Sequence, residues 1–438
     1  MTKPIQLIYP TIDLFLYDIR DKFQDSAAIY DNRQQFWQKI DRNIDEQQLA
    51  QLAELENPEA DYVPLLAKPF ESPLDGYYYA LQFGDTYSLQ IACSGEYKDA
   101  DRQKRNDGNQ AIDNLVNLKQ TIIHKLNGND KYTEIDPSKQ GTIGQTWLVS
   151  VQIADSNQDP KQLAKECYEK LTINYLWQPE FKEQGRLLGA RLFEYWHSPT
   201  NWERDWETFS QENYHIVFCL FPAGRNIAEI RQKVEDLYLD LTRLFCYRHK
   251  IIWAYWQSRK LNNKLKRQSG EIRDLVDRVR DLSGQIQSQE LNLKDLEVTL
   301  TQSFPTLSDY AVHLNELESL ASLIKLNLDN YKVRLQKIER DASSYLNLFT
   351  SFSDLAMEKY LQQVETDCRR FRPGLTLLEN LIRTIGSLSE IEQTKSNRAL
   401  NTTVAASARG LGANCFAAAQ AIAVILLLVG CWLLVIGD

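Results

Sequence analysis

The chain has 438 residues and a formal net charge of -9, with 43% apolar and 25% charged residues. This length allows two or three structural units, and this apolar fraction is enough for a packed core. The negative charge argues against a general nucleic-acid-binding protein, because such proteins bind the phosphate backbone through an excess of Lys and Arg.

The N-terminal residues MTKPIQLIYP lack the basic and then apolar pattern of a secretory leader. The seven cysteines form no CxxC pair: Cys93, Cys167, Cys219, Cys246, Cys368, Cys415 and Cys431. Isolated cysteines in an odd number are typical of reduced thiols. We therefore expect a protein that faces the cytosol.

Residues 1–240 are predicted to form an α/β head domain with a mixed sheet. Residues 77–93 predict two strands joined at Gly84-Asp85, which is a hairpin turn signal. β-Branched and aromatic residues predict further strands over residues 147–153, 187–196 and 214–221. Helical spacing of apolar residues predicts helices over residues 111–126 and 160–171. Strands interleaved with helices favour a mixed sheet.

The head domain carries no known catalytic motif: there is no GxxxxGK[ST], HExxH, GxSxG or strand-bound GxGxxG. The five histidines are not spaced as metal ligands: His124, His197, His215, His249 and His313. We therefore expect no catalytic residues, no metal, no cofactor and no enzyme activity.

Heptad seams dominate the region from residue 241 onward. One seam runs from Ile272 to Leu300, with apolar residues at alternating steps of three and four. It stops before Pro305, which predicts a helix end there with Thr306 or Ser308 as the next cap. A second seam runs from Tyr310 to Ala356, and Pro373-Gly374 predicts its final break. An antiparallel coiled-coil hairpin over 241–372 fits best; one long parallel coiled coil that dimerises the chain is the alternative.

A basic segment in this region suggests an anion-binding site. No Asp or Glu occurs between Leu241 and Gly270, which contain eight cations: Arg243, Arg248, Lys250, Arg259, Lys260, Lys264, Lys266 and Arg267. In a hairpin, Arg369, Arg370 and Arg372 would return close to the segment. An anionic ligand such as a nucleotide, a phospholipid headgroup or an acidic partner would fit this charge, whereas the alternative is a solvated helix face.

The C-terminal residues 410–438 are predicted to be a transmembrane anchor. Residues 417–436, AAAQAIAVILLLVGCWLLVI, supply the roughly 20 apolar positions that a membrane-spanning helix needs. Lys395, Arg398 and Arg409 precede this run and only Asp438 follows it. Because positive charge favours the cytoplasmic side, we expect a single-pass membrane protein with a cytoplasmic N-terminal body. A buried core helix is the alternative.

This order of elements resembles that of CorA-type divalent-cation channels. That family has a cytoplasmic α/β head, antiparallel helices and a long helix leading into the membrane. The resemblance implies a pentamer whose heads sense a ligand and whose stalks gate a pore. The family also has two membrane helices with a Gly-Met-Asn signature after the first. Here Gly412-Ala413-Asn414 is the nearest match, and it precedes the one predicted span.

The predicted fold is therefore α+β, with four parts: the head domain 1–240, the coiled-coil hairpin 241–372, a stalk helix 373–409 and the anchor 410–438. The leading functional hypothesis is a membrane-anchored homo-oligomer whose cytosolic head senses a ligand and signals through the stalk to the bilayer. A tail-anchored tether for a protein partner and a membrane-tethered enzyme are the alternatives. Nucleic acid is not an expected partner.

Overall fold

The computed structural model describes residues 5–21, 26–96, 109–128, 133–172, 185–196, 201–212, 215–287, 293–342 and 344–410. The chain divides into two compact units. Unit 1 comprises Met1–Asn262 and Glu316–Asp367, and unit 2 comprises Asn263–Asn315 and Cys368–Asp438. Both helices and a mixed sheet are present, so the α+β fold class is confirmed.

The described part of unit 1 contains one nine-stranded sheet. Its strands are β1 (Gln6–Ile19), β2 (Val63–Pro69), β3 (Leu74–Phe83), β4 (Thr86–Glu96), β5 (Asn109–Ala111), β6 (Gly144–Ile153), β7 (Gly185–Leu187), β8 (Ala190–Trp196) and β9 (His215–Phe221). Their order is β2-β3-β4-β1-β6-β9-β8-β7, with β5 paired to β1. Only the β6–β9 pair is parallel among these pairings, so the predicted mixed sheet is confirmed.

The helices are α1 (Ser26–Trp37), α2 (Glu46–Leu55), α3 (Asn114–Asn127), α4 (Pro160–Leu171), α5 (Trp206–Glu212), α6 (Ile227–Gln287), α7 (Leu293–Asp341), α8 (Asn347–Leu355) and α9 (Gln362–Gly410). A π-helical segment, Ala356–Leu361, joins α8 to α9. The predicted helices at 111–126 and 160–171 correspond to α3 and α4. Asp159 begins α4 by accepting hydrogen bonds from the Lys161 and Gln162 N–H groups.

Both faces of the central strand β1 are covered. Leu14 and Leu16 belong to the main core, together with buried residues of α1 to α4. On the other face, the Phe15 ring lies 5.6 Å from the Phe245 ring of α6, and the Tyr17 hydroxyl donates to the Thr242 carbonyl. Helix α6 therefore covers the opposite face of the sheet, which explains why most of its residues between 240 and 256 are buried although several of them are charged.

The predicted hairpin at Gly84-Asp85 is confirmed as the β3–β4 turn. The strand predicted over residues 187–196 is confirmed for Ala190–Trp196, but its predicted start is wrong, because the chain turns after Leu187 and forms the short β7–β8 hairpin. Leu188 and Gly189 adopt φ values of 53° and 85° at this turn. A positive φ at two successive residues reverses the chain tightly, and Gly189 makes this conformation accessible.

Helices α6 and α7 run antiparallel where they contact each other. In unit 2, Arg278 donates to Gln302, and His313 shares a hydrogen bond with Gln268 ten residues earlier on α6. Of the second predicted seam, the residues Tyr310, Leu314, Leu317, Ile324, Leu328, Tyr331, Leu335 and Ile338 are buried. Tyr345 is an exception at 58% exposed, because α7 has ended and its backbone pairs with Arg186 instead.

Both predicted proline breaks are wrong, since Pro305 lies inside α7 and Pro373 lies inside α9. Thr306 does not cap a helix; its hydroxyl donates to the Gln302 carbonyl one turn back. Near Pro373, the Tyr310 hydroxyl donates to the Phe371 carbonyl at 2.7 Å. A proline inside a helix costs about 3 kcal/mol, and tertiary packing in these helices offsets that cost.

The predicted boundaries at 240/241 and 372/373 differ from the two units, because α6 is continuous through the first boundary and α9 through the second. No helix within the described ranges combines the length and apolarity needed to cross a bilayer. Residues 411–438, with nearly all of the predicted anchor and Gly412-Ala413-Asn414, lie outside the described residues.

Candidate functional site

The basic segment does not form one anion-binding surface in unit 1. Arg243 donates to Asp61 at 2.7 Å, Lys250 pairs with Asp85, and Arg259 donates to Asp367 at 2.6 Å. These carboxylates come from distant parts of the chain. The basic segment contains no Asp or Glu, but the fold brings carboxylates from elsewhere next to three of its cations. These ion pairs hold α6 against the rest of unit 1.

The remaining residues of the segment have different surroundings. Arg248 is buried beside Glu194, and the Lys260 ammonium lies 3.9 Å from the centroid of the Trp256 ring. Lys264, Lys266 and Arg267 are exposed and belong to unit 2, where Lys266 lines a pocket. The eight predicted cations therefore do not share one role: some form ion pairs, one contacts an aromatic ring, and one lines a pocket.

A buried hydrogen-bond network links two histidines through one threonine. Glu194 Oε1 lies 2.9 Å from His215 Nε2, and Thr146 Oγ1 lies 2.8 Å from His215 Nδ1 and 2.7 Å from His249 Nε2. Burial lowers the pKa of both histidines, so each carries one ring proton. The three hydrogen bonds are mutually consistent if His215 donates to Glu194, Thr146 donates to His215, and His249 donates to Thr146. His249 Nδ1 and Glu194 Oε2 form no hydrogen bond within the described part of the chain.

This network has the order of a carboxylate–imidazole–hydroxyl relay, yet no substrate can reach it. Thr146 and His249 are 0% exposed, and Glu194 is 3% exposed. Arg248 Nη1 lies 3.3 Å from Glu194 Oε1, and the guanidinium stacks 4.0 Å from the Phe352 ring centroid. Burial raises the pKa of Glu194 to about 7, and the charge of Arg248 opposes this shift. The network is a polar element of the core rather than an accessible active site.

A cavity of about 290 Å³ in unit 1 is the stronger candidate for a functional site. We name it the sheet cavity. It lies between the sheet and the first turns of α6, and its walls are formed by Tyr9, Thr11, Pro69, Asp75, Gly76, Tyr77, Ala92, Ser94, Ser150, Val151, Gln152, Phe221, Ile227, Ile230, Arg231, Val234, Glu235 and Tyr238. A concave site with apolar walls and a few convergent polar groups is typical of small-molecule binding.

Two backbone irregularities shape this cavity. The register of β1 against β6 shifts between Ile8 and Thr11, and Tyr9 in that bulge has a φ of 46°. The register of β3 against β4 shifts between Asp75 and Gly76, where an added Cβ would come within 2.4 Å of the Ala92 carbonyl oxygen. Bulges and a positive φ at a non-glycine residue redirect side chains and concentrate at functional sites.

The polar wall of the sheet cavity joins a buried carboxyl group. Asp13 is 0% exposed and accepts hydrogen bonds from Gln90 Nε2 at 2.9 Å and from the Tyr238 hydroxyl at 3.2 Å. Gln90 also donates to the Tyr77 hydroxyl at 3.2 Å. Burial raises the pKa of Asp13 to about 7, while its two hydrogen bonds oppose the shift. Tyr77 and Tyr238 therefore connect the cavity to a group that titrates near neutral pH.

The lining of the sheet cavity also carries charged and hydroxyl groups. The Tyr9 hydroxyl donates to Asp75 at 2.9 Å, and the Arg231 guanidinium lies 5.5 Å from the Tyr9 ring centroid. Ser150 is 8% exposed, and its buried hydroxyl forms no hydrogen bond within the described part of the chain. A ligand could satisfy this hydroxyl.

The sheet cavity could not be predicted from the sequence, because its residues come from six strands and one helix. One sequence signal did point to it. Asp13 stands among the apolar residues Ile12, Leu14 and Phe15, and a carboxyl group in a strand covered on both faces is unusual. Within the described ranges, no cluster of three or more His, Cys, Asp or Glu residues could hold a metal ion. Comparisons with family models, curated proteins and solved structures find no match to this chain.

Proposed function

We propose that the protein is a non-enzymatic, membrane-anchored ligand sensor. A small molecule binds in the sheet cavity of unit 1, and helix α6 carries the response to unit 2 and to a C-terminal anchor at residues 410–438. The observation that carries the proposal is that six residues of α6 line the cavity, from Ile227 to Tyr238, while the same unbroken helix continues to Gln287 in unit 2.

The lining of the cavity defines the class of ligand. Tyr9, Tyr77 and Tyr238 offer flat aromatic surfaces, and Ser150, Asp75 and Arg231 offer hydrogen-bonding or charged groups. A volume of about 290 Å³ lies at the small end of the usual range for ligand pockets. The ligand is therefore a small, partly planar polar molecule rather than a polymer or a lipid chain.

Asp13 gives ligand binding a means of changing the contacts of α6. Its hydrogen bond from Tyr238 ties α6 to the central strand β1. A ligand that engages the Tyr238 hydroxyl competes for that bond and alters the free energy of the Asp13 proton. Occupancy, protonation and the position of α6 are thus linked through three named side chains, Asp13, Gln90 and Tyr238.

Membrane attachment and oligomerisation rest on the sequence. The uncharged residues 410–437 follow Lys395, Arg398 and Arg409, an order that favours a cytoplasmic body. In a homo-oligomer, the cavity response of each chain would act on a shared assembly, as in the CorA-type channels that the order of elements resembles. A pore or a membrane-disrupting effector is the output expected of such an assembly.

Signal transmission can be tested by filling the sheet cavity covalently. In the full-length chain carrying Cys415→Ala and Cys431→Ala, Ser150→Cys labelled with monobromobimane places an aromatic group in the cavity, and Ser138→Cys labelled in the same way is the exposed control. We expect the label at position 150 to change amide hydrogen exchange in residues 263–287 of unit 2, and the control label to leave it unchanged. A change confined to peptides around the cavity would contradict transmission through α6.

The membrane part of the proposal has a separate test. Full-length chain and a chain ending at residue 409 are mixed with liposomes and floated on a density gradient. We expect only the full-length chain to float. Light scattering in detergent should then give an oligomer, and a dye-leakage assay should show release. A floating monomer without leakage would instead identify a tail-anchored tether.

A further inference from the structure

Unit 2 contains a pocket of about 370 Å³ whose only charged lining residues are cations. We name it the basic pocket. Its nine lining residues come from α6, α7 and α9: Lys266, Ser269, Ile272, Arg273, Tyr310, Arg370, Phe371, Gly374 and Leu377. Three of these nine are basic and none is acidic, although the chain as a whole carries more acidic than basic residues.

Helix periodicity places these cations on common faces. Lys266, Ser269 and Arg273 lie at positions i, i+3 and i+7 of α6, and Arg370, Gly374 and Leu377 lie at i, i+4 and i+7 of α9. None of Lys266, Arg273 and Arg370 forms an ion pair with a carboxylate in the described part of the chain. Three like charges that converge without a counter-charge repel one another, and a bound anion removes that repulsion.

Gly374 and Tyr310 fix the inner wall of the basic pocket. The Tyr310 hydroxyl donates to the Phe371 carbonyl at 2.7 Å, and a Cβ at position 374 would lie 2.5 Å from that hydroxyl oxygen. Glycine at 374 is therefore needed for Tyr310 to approach α9. Tyr310 is 0% exposed, whereas Lys266, Arg273 and Arg370 are exposed, so a buried aromatic wall and exposed cations line the same pocket.

The structure assigns this pocket to a phosphorylated ligand that carries several negative charges. Arginine matches phosphate oxygens through its planar fork of N–H groups, and lysine adds a mobile point charge. A more open depression lined by Arg369, Arg372, Pro373, Thr376, Leu377 and Asn380 shares Leu377 with the pocket.

A soluble phosphate compound fits this site better than the headgroup of the membrane that holds the chain. About 33 residues of α9 separate Leu377 from Gly410, which corresponds to about 50 Å of helix at 1.5 Å per residue. The headgroups at the predicted anchor therefore lie far along the helix from the basic pocket. The choice of a soluble phosphate over a lipid headgroup depends on the proposed anchor. The existence of the pocket and its charges does not depend on it.

The test measures binding of inorganic tripolyphosphate to the full-length chain in detergent by isothermal titration calorimetry. Lys266→Glu/Arg370→Glu should weaken binding about 100-fold or more, because each lost charge-assisted hydrogen bond costs about tenfold. The matched control Lys264→Glu/Arg267→Glu makes the same charge change on exposed α6 residues outside the pocket, and it should weaken binding no more than a few-fold. Gly374→Ala, which changes no charge, should also weaken binding because it displaces Tyr310.

Three results would overturn the inference. Equal losses in the pocket variant and the control would show a diffuse charge effect, and an unchanged affinity in the pocket variant would remove the site. Binding to vesicles that contain phosphatidylinositol bisphosphate, without binding of tripolyphosphate, would replace the soluble ligand by a lipid headgroup. Far-UV circular dichroism of each variant confirms that the helices are intact. A failure of the bimane or flotation experiments would leave these binding results unaffected.

Discussion

The two units differ in the pairing of the cations that are buried or that line a pocket. In unit 1, buried or half-buried cations pair with carboxylates from distant segments, as Lys39 does with Asp18 and as Arg334 and Lys337 do with Asp240. In unit 2, Lys266, Arg273 and Arg370 converge on one pocket without a described carboxylate partner. This difference shows that an anion site cannot be located by counting basic residues in the sequence. It is located by finding basic residues that have no carboxylate close to them in the fold.

The largest expected effect comes from breaking the buried pair in unit 1. Glu194→Leu leaves Arg248 buried without its carboxylate and removes the acceptor of His215. We expect a loss of about 3 to 5 kcal/mol in the free energy of unfolding, because an uncompensated charge stays buried. Urea unfolding followed by tryptophan fluorescence measures this loss, since the seven tryptophans within the described ranges all belong to unit 1.

Two further variants check the cause of that loss. The double variant Glu194→Leu/Arg248→Met should recover much of the stability, because no unpaired charge is left in the core. Lys165→Ala removes an ion pair whose partners are 44% and 53% exposed, and it should cost less than about 1 kcal/mol. A loss below about 1 kcal/mol in Glu194→Leu itself would mean that the pair is not a structural element.

The next effect concerns the pH dependence of unit 1. Asp13 has a pKa of about 7 in the folded protein against a usual value of 3.8, so the folded state holds its proton more tightly than the unfolded chain. Stability from this group is fully present below about pH 4 and is lost as the pH rises towards 7 and above. Asp13→Asn should therefore match the wild type at pH 4 and be more stable at pH 9, by up to about 4 kcal/mol.

Urea unfolding at several pH values tests this prediction. Asp329→Asn changes an exposed carboxylate of α7 in unit 1, and its stability profile should follow that of the wild type. Parallel profiles for Asp13→Asn and the wild type between pH 4 and pH 9 would show that Asp13 does not titrate in this range. The coupling between the sheet cavity and the Asp13 proton would then have no basis.

The smallest effect is expected in unit 2. Lys266→Gln, Arg273→Gln and Arg370→Gln should each change the stability of unit 2 by less than about 0.5 kcal/mol, because no described ion pair is lost. Tyr310→Phe, by contrast, removes a hydrogen bond to the Phe371 carbonyl and should cost about 1 kcal/mol. Thermal melting followed at the helix signal compares the four variants. A large loss from a cation variant would place that cation among the structural charges, as in unit 1.

Local signals explain what could be predicted from the residues alone. Gly84-Asp85 between apolar runs has one favourable turn geometry, and the heptad positions from Tyr310 to Ile338 have one face that must leave water. Both features depend on near neighbours along the chain. The α+β class and the buried positions of the second seam followed from such patterns. The helix ends predicted at Pro305 and Pro373 were wrong. The free energy lost with one hydrogen bond is small compared with that gained by packing along a helix of 49 residues such as α7.

Only the tertiary structure decided which charges are neutralised and where a ligand can bind. The Asp61, Asp85, Glu194 and Asp367 carboxylates reach the basic segment from four separate places in the chain. Asp13 acquires its raised pKa from burial between β-strands and α6, and the basic pocket requires α6, α7 and α9 together. Electrostatic free energy depends on distance and solvent access in three dimensions, and spacing along a sequence specifies neither of them.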